Sequence, residues 1–381
     1  MADAEFSEGL EDVVAASSNI CFIDGDEGRL VYRGYDIHDL VAGGCTFEEV
    51  IYLLWNGELP TPEQLQTFAA TLRSNRQLDA HVIQTLHTLP KDGNAMAMLR
   101  TLVSTAGLFD PDGEDNSFEA SVRKASRLVA QLPSMVTAIE RHKTGQEMVA
   151  PREELSLAAN FLYMLFGKEV DDVTARTFEI ALILHADHEL NASTFSSRVT
   201  AATLSDVYSA ITSAVGTLKG PLHGGANEQV MLMLKEIGAP SNADAWIREA
   251  LANKRRIMGF GHRVYHTEDP RATHLRKMSK EMGERAGNLS YYEISQTVER
   301  VVKEQKKLNP NVDFYSASTY FMMGIPIHLF TPVFAVSRIA GWTAHVLEQY
   351  RNNRLIRPRA EYTGIKRRAY VALADRQIVA E

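Results

Sequence analysis

Apolar residues recur at intervals of three and four along most of the chain. The segments Leu155–Phe166, Thr174–Leu190 and Thr331–Tyr350 are largely apolar with this spacing, and Tyr292–Lys307 combines it with many charged positions. Such spacing places apolar side chains on one face of a helix, where they can pack against a core. The pattern therefore predicts a mostly helical protein, in which the first three segments are core helices and the fourth is exposed.

Helix start signals support this prediction. Thr46 is followed three residues later by Glu49, a spacing that fits a capping box. Asp269-Pro270 indicates another helix start, because proline is tolerated in a first turn. By the same argument, Pro133 is expected near the start of a helix.

Strand signals are nearly confined to the N-terminal part of the chain. Two short apolar-rich runs, Ile20–Asp24 and Arg29–Arg33, are joined by the turn residues of 25–28. This pattern predicts a β-hairpin. The expected fold class is all-α with one short N-terminal hairpin.

The domain organisation follows from length and helix breaks. A chain of 381 residues is long enough for two domains with separate cores. No internal repeat, low-complexity stretch or long linker divides it, so we place the boundaries near Gly220 and Ser318. We predict a smaller helical domain over 220–318 and a larger one that 1–219 and 319–381 form together.

Composition and charge exclude several classes of protein. The chain is 45% hydrophobic and 23% charged, as is usual for a globular enzyme, and its net charge of −8 argues against general nucleic-acid binding. Two cysteines, Cys21 and Cys45, form no disulfide framework and favour a reducing compartment. The N-terminus lacks an apolar signal core, and no apolar run approaches the ~20 residues of a membrane span. We expect a cytoplasmic protein.

Two histidines lie in glycine-rich turns. His223 precedes a helix, whose positive end disfavours a second proton on the ring, and a neutral imidazole there can donate a hydrogen bond to a carbonyl oxygen. His262 follows Gly259-Phe260-Gly261, and the two glycines would let a ligand approach closely. The alternatives are a histidine that only caps its helix and a histidine with a local role in its turn.

Three arginines are candidates for binding an anion. Arg271 lies in the first turn of a helix, where the dipole disfavours a cation unless a substrate carboxylate or a nearby surface acid offsets it. Arg338 is the only charged residue in Thr331–Trp342, so its guanidinium needs either a ligand or a structural salt bridge. Arg357 belongs to a basic tail that could equally be solvated surface.

Asp313 is a candidate general base. Its neighbours Val312 and Phe314 are apolar, and partial desolvation raises the basicity of a carboxylate. The alternative is an aspartate that caps a helix.

His185, His188 and Glu189 suggest a metal site, but only weakly. The order of the residues is not His-Glu-x-x-His, and the spacing provides no third ligand. We expect no metal here, and expect a histidine that serves a substrate carboxylate or carbonyl instead.

Together these motifs resemble the citrate synthase family from about Ile20 to Gly364. The signatures are Ile-Asp-Gly…Gly-Arg-Leu-x-Tyr-Arg-Gly over 23–34, Gly-Pro-Leu-His-Gly-Gly-Ala-Asn over 220–227, Gly-Phe-Gly-His-Arg-Val-Tyr…Asp-Pro-Arg over 259–271 and Pro-Asn-Val-Asp-Phe-Tyr-Ser over 310–316. Several motifs in the right order are far more specific than any one. The compact length is similar to that of the shorter bacterial and archaeal members.

The resemblance implies a two-domain helical fold and an acyltransferase of the tricarboxylic acid cycle, which condenses acetyl-CoA with oxaloacetate and hydrolyses citryl-CoA to citrate and CoA. Asp313 would abstract a methyl proton from acetyl-CoA, and His223 would hydrogen-bond the thioester carbonyl. His262 would polarise the ketone of oxaloacetate and protonate the new alkoxide. No metal or redox cofactor is implied.

The resemblance also implies the binding residues. Oxaloacetate would contact His188, Arg271, Arg338 and Arg357, of which Arg357 would enter the site of the other subunit of a homodimer. CoA would contact Lys254, Arg256, Met258, Gly259, Phe260, Gly261 and His266. At the last of these positions relatives often carry Lys or Arg toward a phosphate, so the histidine departs from the family pattern.

Three alternative functions remain at this point. A 2-methylcitrate synthase would use propionyl-CoA with the same catalytic residues, and the motifs do not separate it from a citrate synthase. A metal-dependent hydrolase would use His185, His188 and Glu189. A non-catalytic helical scaffold would bind acidic metabolites.

Overall fold

The computed structural model describes residues 7–11 and 13–376. The helices are α1 Ile37–Ala42, α2 Phe47–Asn56, α3 Pro62–Ser74, α4 Ala80–Thr88, α5 Ala95–Leu108, α6 Phe118–Thr144, α7 Leu157–Phe166, α8 Asp172–His185, α9 Ala192–Ala202, α10 Val207–Leu218, α11 Ala226–Ile237, α12 Pro240–Ala252, α13 Pro270–Arg285, α14 Ser290–Lys306, α15 Val312–Met322 and α16 Phe330–Arg351. Short 3₁₀ turns cover Glu8–Leu10, Ile327–Leu329 and Leu373–Asp375. The predicted all-α class is therefore confirmed.

The predicted hairpin is present and gains a third strand. Strands β1 Cys21–Asp24 and β2 Arg29–Tyr32 pair antiparallel, and the short strand β3 Tyr35–Asp36 pairs with β2. In this register Cys21 lies opposite Tyr32. The sheet thus turns Tyr32 into the core, where its side chain is fully buried.

The described chain divides into two units. One combines the N-terminal residues up to Ser17 with the C-terminal residues from Ile356, and its described residues are mostly exposed. The other, from Ser18 to Leu355, contains the sheet and all sixteen α-helices that the described residues form. The predicted boundaries near 220 and 318 both fall inside this second unit and stay a prediction.

Helix α16 runs through the core of the second unit. It packs against α2, α5, α6, α8, α9, α10 and α11, and nearly all its residues are buried. A helix that is apolar on every face is stable only in such a position. The one cation in its buried part, Arg338, is thereby carried into the interior.

Two sequence predictions about helix ends were wrong. The helix predicted over Thr174–Leu190 ends at His185, because the hydroxyl of Tyr32 binds the carbonyls of Ile183 and Asp187 and holds the chain out of helical geometry. Pro133 lies in the middle of α6, not near a start. It is buried there, so tertiary packing offsets the missing N–H.

The local start signals were correct. Thr46 Oγ1 accepts from the N–H of Glu49 at 3.2 Å, and the Glu49 carboxylate accepts from the N–H of Thr46 at 2.8 Å. Asp269 caps α13 by accepting from the N–H of Arg271 at 3.0 Å. None of the helices formed by residues 7–11 and 13–376 is long and apolar enough to cross a bilayer.

Candidate active site

His223 lies in the turn that precedes α11, but it does not cap the helix. The N-cap position is Gly225, which has no side chain to donate or accept. The ring Nε2 of His223 lies 2.7 Å from Ser193 Oγ and accepts from the N–H of Ser193 at 3.3 Å. Because Nε2 is an acceptor, the proton of the neutral ring lies on Nδ1. Burial and the nearby Arg338 lower the pKa of His223 to about 4, which keeps the ring neutral.

Ser193 is itself fixed by a second buried group. Its hydroxyl accepts from Trp342 Nε1 at 3.1 Å, and both side chains are buried. Ser193 lies in the first turn of α9, 30 residues before His223. The sequence analysis missed this residue, since nothing in the local pattern connects it with the histidine.

The turn that carries His262 requires glycine. Gly259 has a φ of 83°, and a Cβ there would lie 2.8 Å from Val230 Cγ2 and 3.0 Å from Phe314 Cα. His262 Nδ1 accepts from the N–H of Val264 and of Tyr265 at 3.0 and 3.2 Å, so Nε2 carries the proton. Burial, and next the charge of Arg271, lower the pKa of His262 to about 4. The ring is a neutral donor.

Asp313 is in the first turn of α15, where the cap is Asn311. Asn311 also joins this turn to the glycine turn, since its N–H donates to the carbonyl of Gly259 at 2.9 Å and its side chain to that of Gly261 at 3.0 Å. The Oδ1 atom of Asp313 is buried and has no hydrogen-bond partner among the described residues. Burial raises the pKa of Asp313 to about 7, although the charge of Arg271 opposes the shift. A carboxylate in this state is a poised general base.

One cavity joins two of these three groups, whereas His262 is not among the residues that line it. It has a volume of about 140 Å³, and both His223 and Asp313 line it. The other lining residues are Pro221, Leu222, Ala226, Arg256, Ile257, Met258, Gly259, Phe260, Gly261 and Asn311. A second cavity of about 320 Å³ shares Arg256 and Met258 with the first. A small reacting group and a longer carrier could thus occupy adjoining spaces.

Arg271 and Arg338 are both buried but differ in their partners. The Nε and Nη2 atoms of Arg271 donate to Asp269 at 2.9 and 2.8 Å, so its acid is a buried one and not the surface acid considered above. The carboxylate of Asp269 also accepts a hydrogen bond from the N–H of Val312 at 3.1 Å. This acid therefore connects Arg271 with the start of α15. The sequence marked Asp269 only as a helix start.

Arg338 is in no ion pair with a carboxylate of residues 7–11 or 13–376 at 4 Å or closer. Its Nε donates to the carbonyl of His185 at 2.7 Å, and the guanidinium stacks over the ring of Phe334 at 4.8 Å. Burial lowers the pKa of Arg338 to about 10, against the opposing charge of Asp187. A buried guanidinium without a contacting acid is suited to bind a ligand carboxylate.

His188 lies beside His262, not with His185. Its ring centroid is 5.1 Å from that of His262, and its Nε2 is 3.2 Å from the hydroxyl of Tyr265. His185 instead donates from Nδ1 to the carbonyl of Ala181 at 2.8 Å. Within the described part of the chain, no group of three or more His, Cys, Asp or Glu side chains has the arrangement of a metal site.

The residues predicted for CoA lie in different surroundings. Arg256 is exposed and lines both cavities, and Lys254 is exposed just before it. His266 is exposed too, but its Nδ1 lies 2.7 Å from Asp26 in the β1–β2 turn.

Arg357, which was predicted for oxaloacetate, lies in the exposed C-terminal segment of the unit that combines the two chain ends. The roles of all four stay predictions.

Comparison with known proteins agrees with this geometry. The family model described as citrate synthase, C-terminal domain, matches residues 9–359. The chain belongs to the citrate synthase family. A citrate synthase of Haloferax volcanii is 54% identical to it over 367 residues, which are 95% of this chain and 97% of that protein.

Two further comparisons are with a 2-methylcitrate synthase and with a citrate synthase solved as a ligand complex. A 2-methylcitrate synthase 1 of Corynebacterium glutamicum is 44% identical over 383 residues, which are 99% of this chain and 100% of that protein. Among solved structures, the ternary complex of carboxymethyl coenzyme A and oxaloacetate with the citrate synthase of Thermoplasma acidophilum has a TM-score of 0.93. It is 34% identical and covers 98% of this chain and 100% of that chain.

Proposed function

We propose that the protein is an acyltransferase that condenses acetyl-CoA with oxaloacetate and hydrolyses the resulting citryl-CoA to citrate and CoA. The observation that carries this proposal is the unpartnered carboxylate of Asp313, which lines the same cavity as the neutral imidazole of His223. A methyl group beside a thioester carbonyl is a weak acid, so a base and a donor to the developing oxyanion are both needed.

The first step would use these two groups. Asp313 takes a proton from the methyl carbon, and its pKa of about 7 makes it a stronger base than an ordinary carboxylate. The negative charge moves to the thioester oxygen, which accepts a hydrogen bond from Nδ1 of His223. Loss of one such donor costs about 2.7–4 kcal/mol in enzymes that stabilise oxyanions. Ser193 keeps the donor in its tautomer through its contact with Nε2.

The second and third steps would join and release the products. The enolate carbon attacks the ketone carbon of oxaloacetate, while Nε2–H of His262 donates to the ketone oxygen and then protonates the alkoxide. Water then adds to the thioester carbonyl of citryl-CoA, one proton of this water returns to His262, and the carbon–sulfur bond breaks. The proton held by Asp313 goes to the CoA thiolate, and the new carboxyl ionises as citrate leaves. His188, Arg271 and Arg338 would hold the two carboxylates of oxaloacetate. The ring of His188 lies beside that of His262. The charge of Arg271 lowers the pKa of His188, of His262 and of Arg338, which supports grouping these residues in one site.

The proposal includes features of assembly and of CoA binding. Arg357 of a second copy would complete the oxaloacetate site in a homodimer, as the resemblance implies. Arg256 and Met258 would face CoA, because they line both adjoining cavities. The contact of His266 with Asp26 does not favour a CoA phosphate at that ring. A cytoplasmic location fits Cys21 and Cys45, which are both free thiols.

The alternative acyl donor is propionyl-CoA. The higher identity to the citrate synthase of Haloferax volcanii than to the Corynebacterium 2-methylcitrate synthase favours acetyl-CoA. One methyl group changes discrimination by only about 1–3 kcal/mol, or roughly 10–200-fold. The ratio of the two rates must therefore be measured.

The test is the release of free thiol from acetyl-CoA with and without oxaloacetate, repeated with propionyl-CoA and with excess chelator. We expect oxaloacetate-dependent release, a preference for acetyl-CoA, and no effect of the chelator. Thiol release that does not depend on oxaloacetate, or that the chelator abolishes, would contradict the proposal. A faster reaction with propionyl-CoA would assign the protein to 2-methylcitrate synthesis instead.

A further inference from the structure

One face of α16 forms hydrogen bonds with the segment His185–His188. Arg338, Gly341 and His345 are spaced three and four residues apart, so they lie on this same face. The Nε atom of Arg338 donates to the carbonyl at position 185 at 2.7 Å, and the N–H of Gly341 to that at 186 at 3.0 Å. Nε2 of His345 lies 3.1 Å from Asp187 Oδ2. Three successive contacts thus fix the segment that carries His188.

The approach at Gly341 leaves no space for a side chain. A Cβ there would lie 2.3 Å from Asp187 Oδ1 and 2.5 Å from the carbonyl oxygen of Ala186. Asp187 Oδ1 is buried, and no residue in the described part of the chain forms a hydrogen bond with it. Burying a carboxylate with an unpaired oxygen costs folding free energy, so the position of Asp187 requires an explanation.

The charge of Asp187 is supported by a chain of buried groups. Nη1 of Arg198 donates to Nδ1 of His345 at 3.0 Å and to Glu348 at 2.6 Å. Since Nδ1 is an acceptor, the proton of the neutral ring is on Nε2 and is donated to Asp187. The side chains of both Asp187 and His345 have 0% exposure. The carboxylate therefore keeps one firm donor in the interior.

The group that needs this charge is Arg338. Burial lowers the pKa of its guanidinium, and Asp187 is the strongest influence in the opposite direction. Arg271 lowers the pKa further, and the buried Tyr32 and Cys21 act in the same direction as Asp187. Asp187 makes no ion-pair contact with Arg338 at 4 Å or less, so the charge acts through space.

Action through space has a consequence for ligand binding. Two nitrogens of Arg271 are engaged by Asp269. Within residues 7–11 and 13–376, Arg338 donates from Nε alone, to a backbone carbonyl, so its Nη1 and Nη2 can form a fork on a carboxylate. A contacting acid would occupy that fork, whereas an acid at a distance keeps it both charged and open.

We propose that Asp187 is a positioning residue of the oxaloacetate site, which supplies the counter-charge of Arg338 through space and, held by His345 and Arg198, fixes the segment that carries His188. The inference rests on the proposed function for the identity of the ligand. It assigns a role to two buried residues, Asp187 and His345, that contact neither of the catalytic histidines. The reacting atoms would still be handled by the groups described above.

The central test is Asp187→Asn, which keeps the shape and an acceptor for His345 but removes the charge. We expect the KM for oxaloacetate to rise about tenfold or more, while the KM for acetyl-CoA changes less than about threefold. Calorimetric binding of oxaloacetate gives the same comparison without turnover.

The matched control is Glu179→Gln. Glu179 is a buried carboxylate within α8, shortly before the segment that carries Asp187, and it pairs with Arg176 at 2.6 Å outside the site. Its removal should leave the KM for oxaloacetate unchanged. If Asp187→Asn behaves like this control, Asp187 is only structural and the inference is wrong.

A second pair of variants decides the question if Asp187→Asn does not fold. His345→Leu removes the donor to Asp187 and should weaken oxaloacetate binding in the same direction. His345→Gln can both donate to Asp187 and accept from Arg198, so it should restore binding. Equal binding by His345→Leu and wild type would overturn the inference. A wild type that binds oxaloacetate but releases no thiol would contradict the proposed function alone.

Discussion

The Nδ1 atom of His262 accepts a hydrogen bond from the backbone N–H of Val264 at 3.0 Å. The proton of the neutral ring is therefore on Nε2, the atom that can donate to a ketone oxygen. The tautomer that the proposed reaction needs is thus set by the backbone of the turn. No other side chain has to hold it.

The first prediction concerns pH. Only the ionised form of Asp313 can act as a base, and its pKa is about 7, whereas His223 and His262, with pKa values of about 4, are neutral well below that pH. We expect kcat/KM for acetyl-CoA to rise with pH through one midpoint near 7. Rates between pH 5 and 9, with oxaloacetate saturating, measure this. A rate that stays constant from pH 5 to 9 would contradict this assignment, because the controlling group would then have a pKa below 5.

The second prediction is for Asp313→Asn. The variant should lose about 10²–10⁴ in kcat, because the base is gone. At pH 8 the variant should also be more stable than the wild type. The carboxyl has a pKa of about 7 in the folded protein and 3.8 in the unfolded chain. Keeping this group buried therefore lowers the free energy of unfolding of the wild type increasingly as pH rises between these two values. The upper bound of the gain is ~4 kcal/mol, and it should vanish as pH falls toward 4. Chemical denaturation at both pH values measures it, and wild-type kcat would exclude Asp313 as the base.

The third prediction contrasts Arg338→Lys with Arg271→Lys. The first should raise the KM for oxaloacetate with little loss of stability, since Arg338 has no contacting acid and a lysine cannot form the fork. The second should also destabilise the fold, by about 1–3 kcal/mol, because Asp269 loses two hydrogen bonds. Kinetics and thermal unfolding of both variants test the contrast. Equal stability losses would show that the two arginines have equivalent roles.

The fourth prediction is for Ser193→Ala. His223 would lose its hydroxyl partner and Trp342 its acceptor, so kcat should fall about tenfold or more while the KM for oxaloacetate stays nearly constant. The matched control is Ser196→Ala, one turn along α9, whose hydroxyl lies 3.1 Å from that of Ser213. A similar loss of kcat in both variants would mean that the effect is not transmitted through His223.

The fifth prediction is for Gly259→Ala. A methyl group would meet Val230 and Phe314, and the φ of 83° adds strain, so we expect a loss of about 2–4 kcal/mol in stability together with a loss of activity. The control is Gly57→Ala, which has a φ of 93° but no atom within 4 Å of the new Cβ. It should lose only about 1–2 kcal/mol and keep its activity. Equal losses would exclude the close packing as the cause.

Local sequence predicted the elements well where their hydrogen bonds are local. The capping box of Thr46 and the helix start at Asp269 involve partners within three residues, so the sequence contains the whole interaction. The end of α8 and the position of Pro133 were predicted wrongly. Both depend on contacts with distant elements, such as the hydroxyl of Tyr32, 151 residues before Ile183.

The candidate site shows the same division. Glycine-rich turns and apolar neighbours singled out His223, His262 and Asp313, because the features that mark them are adjacent in the chain. Ser193 went unrecognised, since it lies 30 residues from the ring it contacts. The role of Asp187 depends on His345, which is 158 residues away.

The amino-acid sequence by itself determined the helical class, the family and the side chains that can perform acid–base chemistry. Only the tertiary structure decided which imidazole nitrogen carries a proton, which arginine keeps an open fork, and why the pKa of one aspartate is raised. These properties depend on burial and on charges brought together from distant parts of the chain. Folding creates both, so no local pattern can contain them.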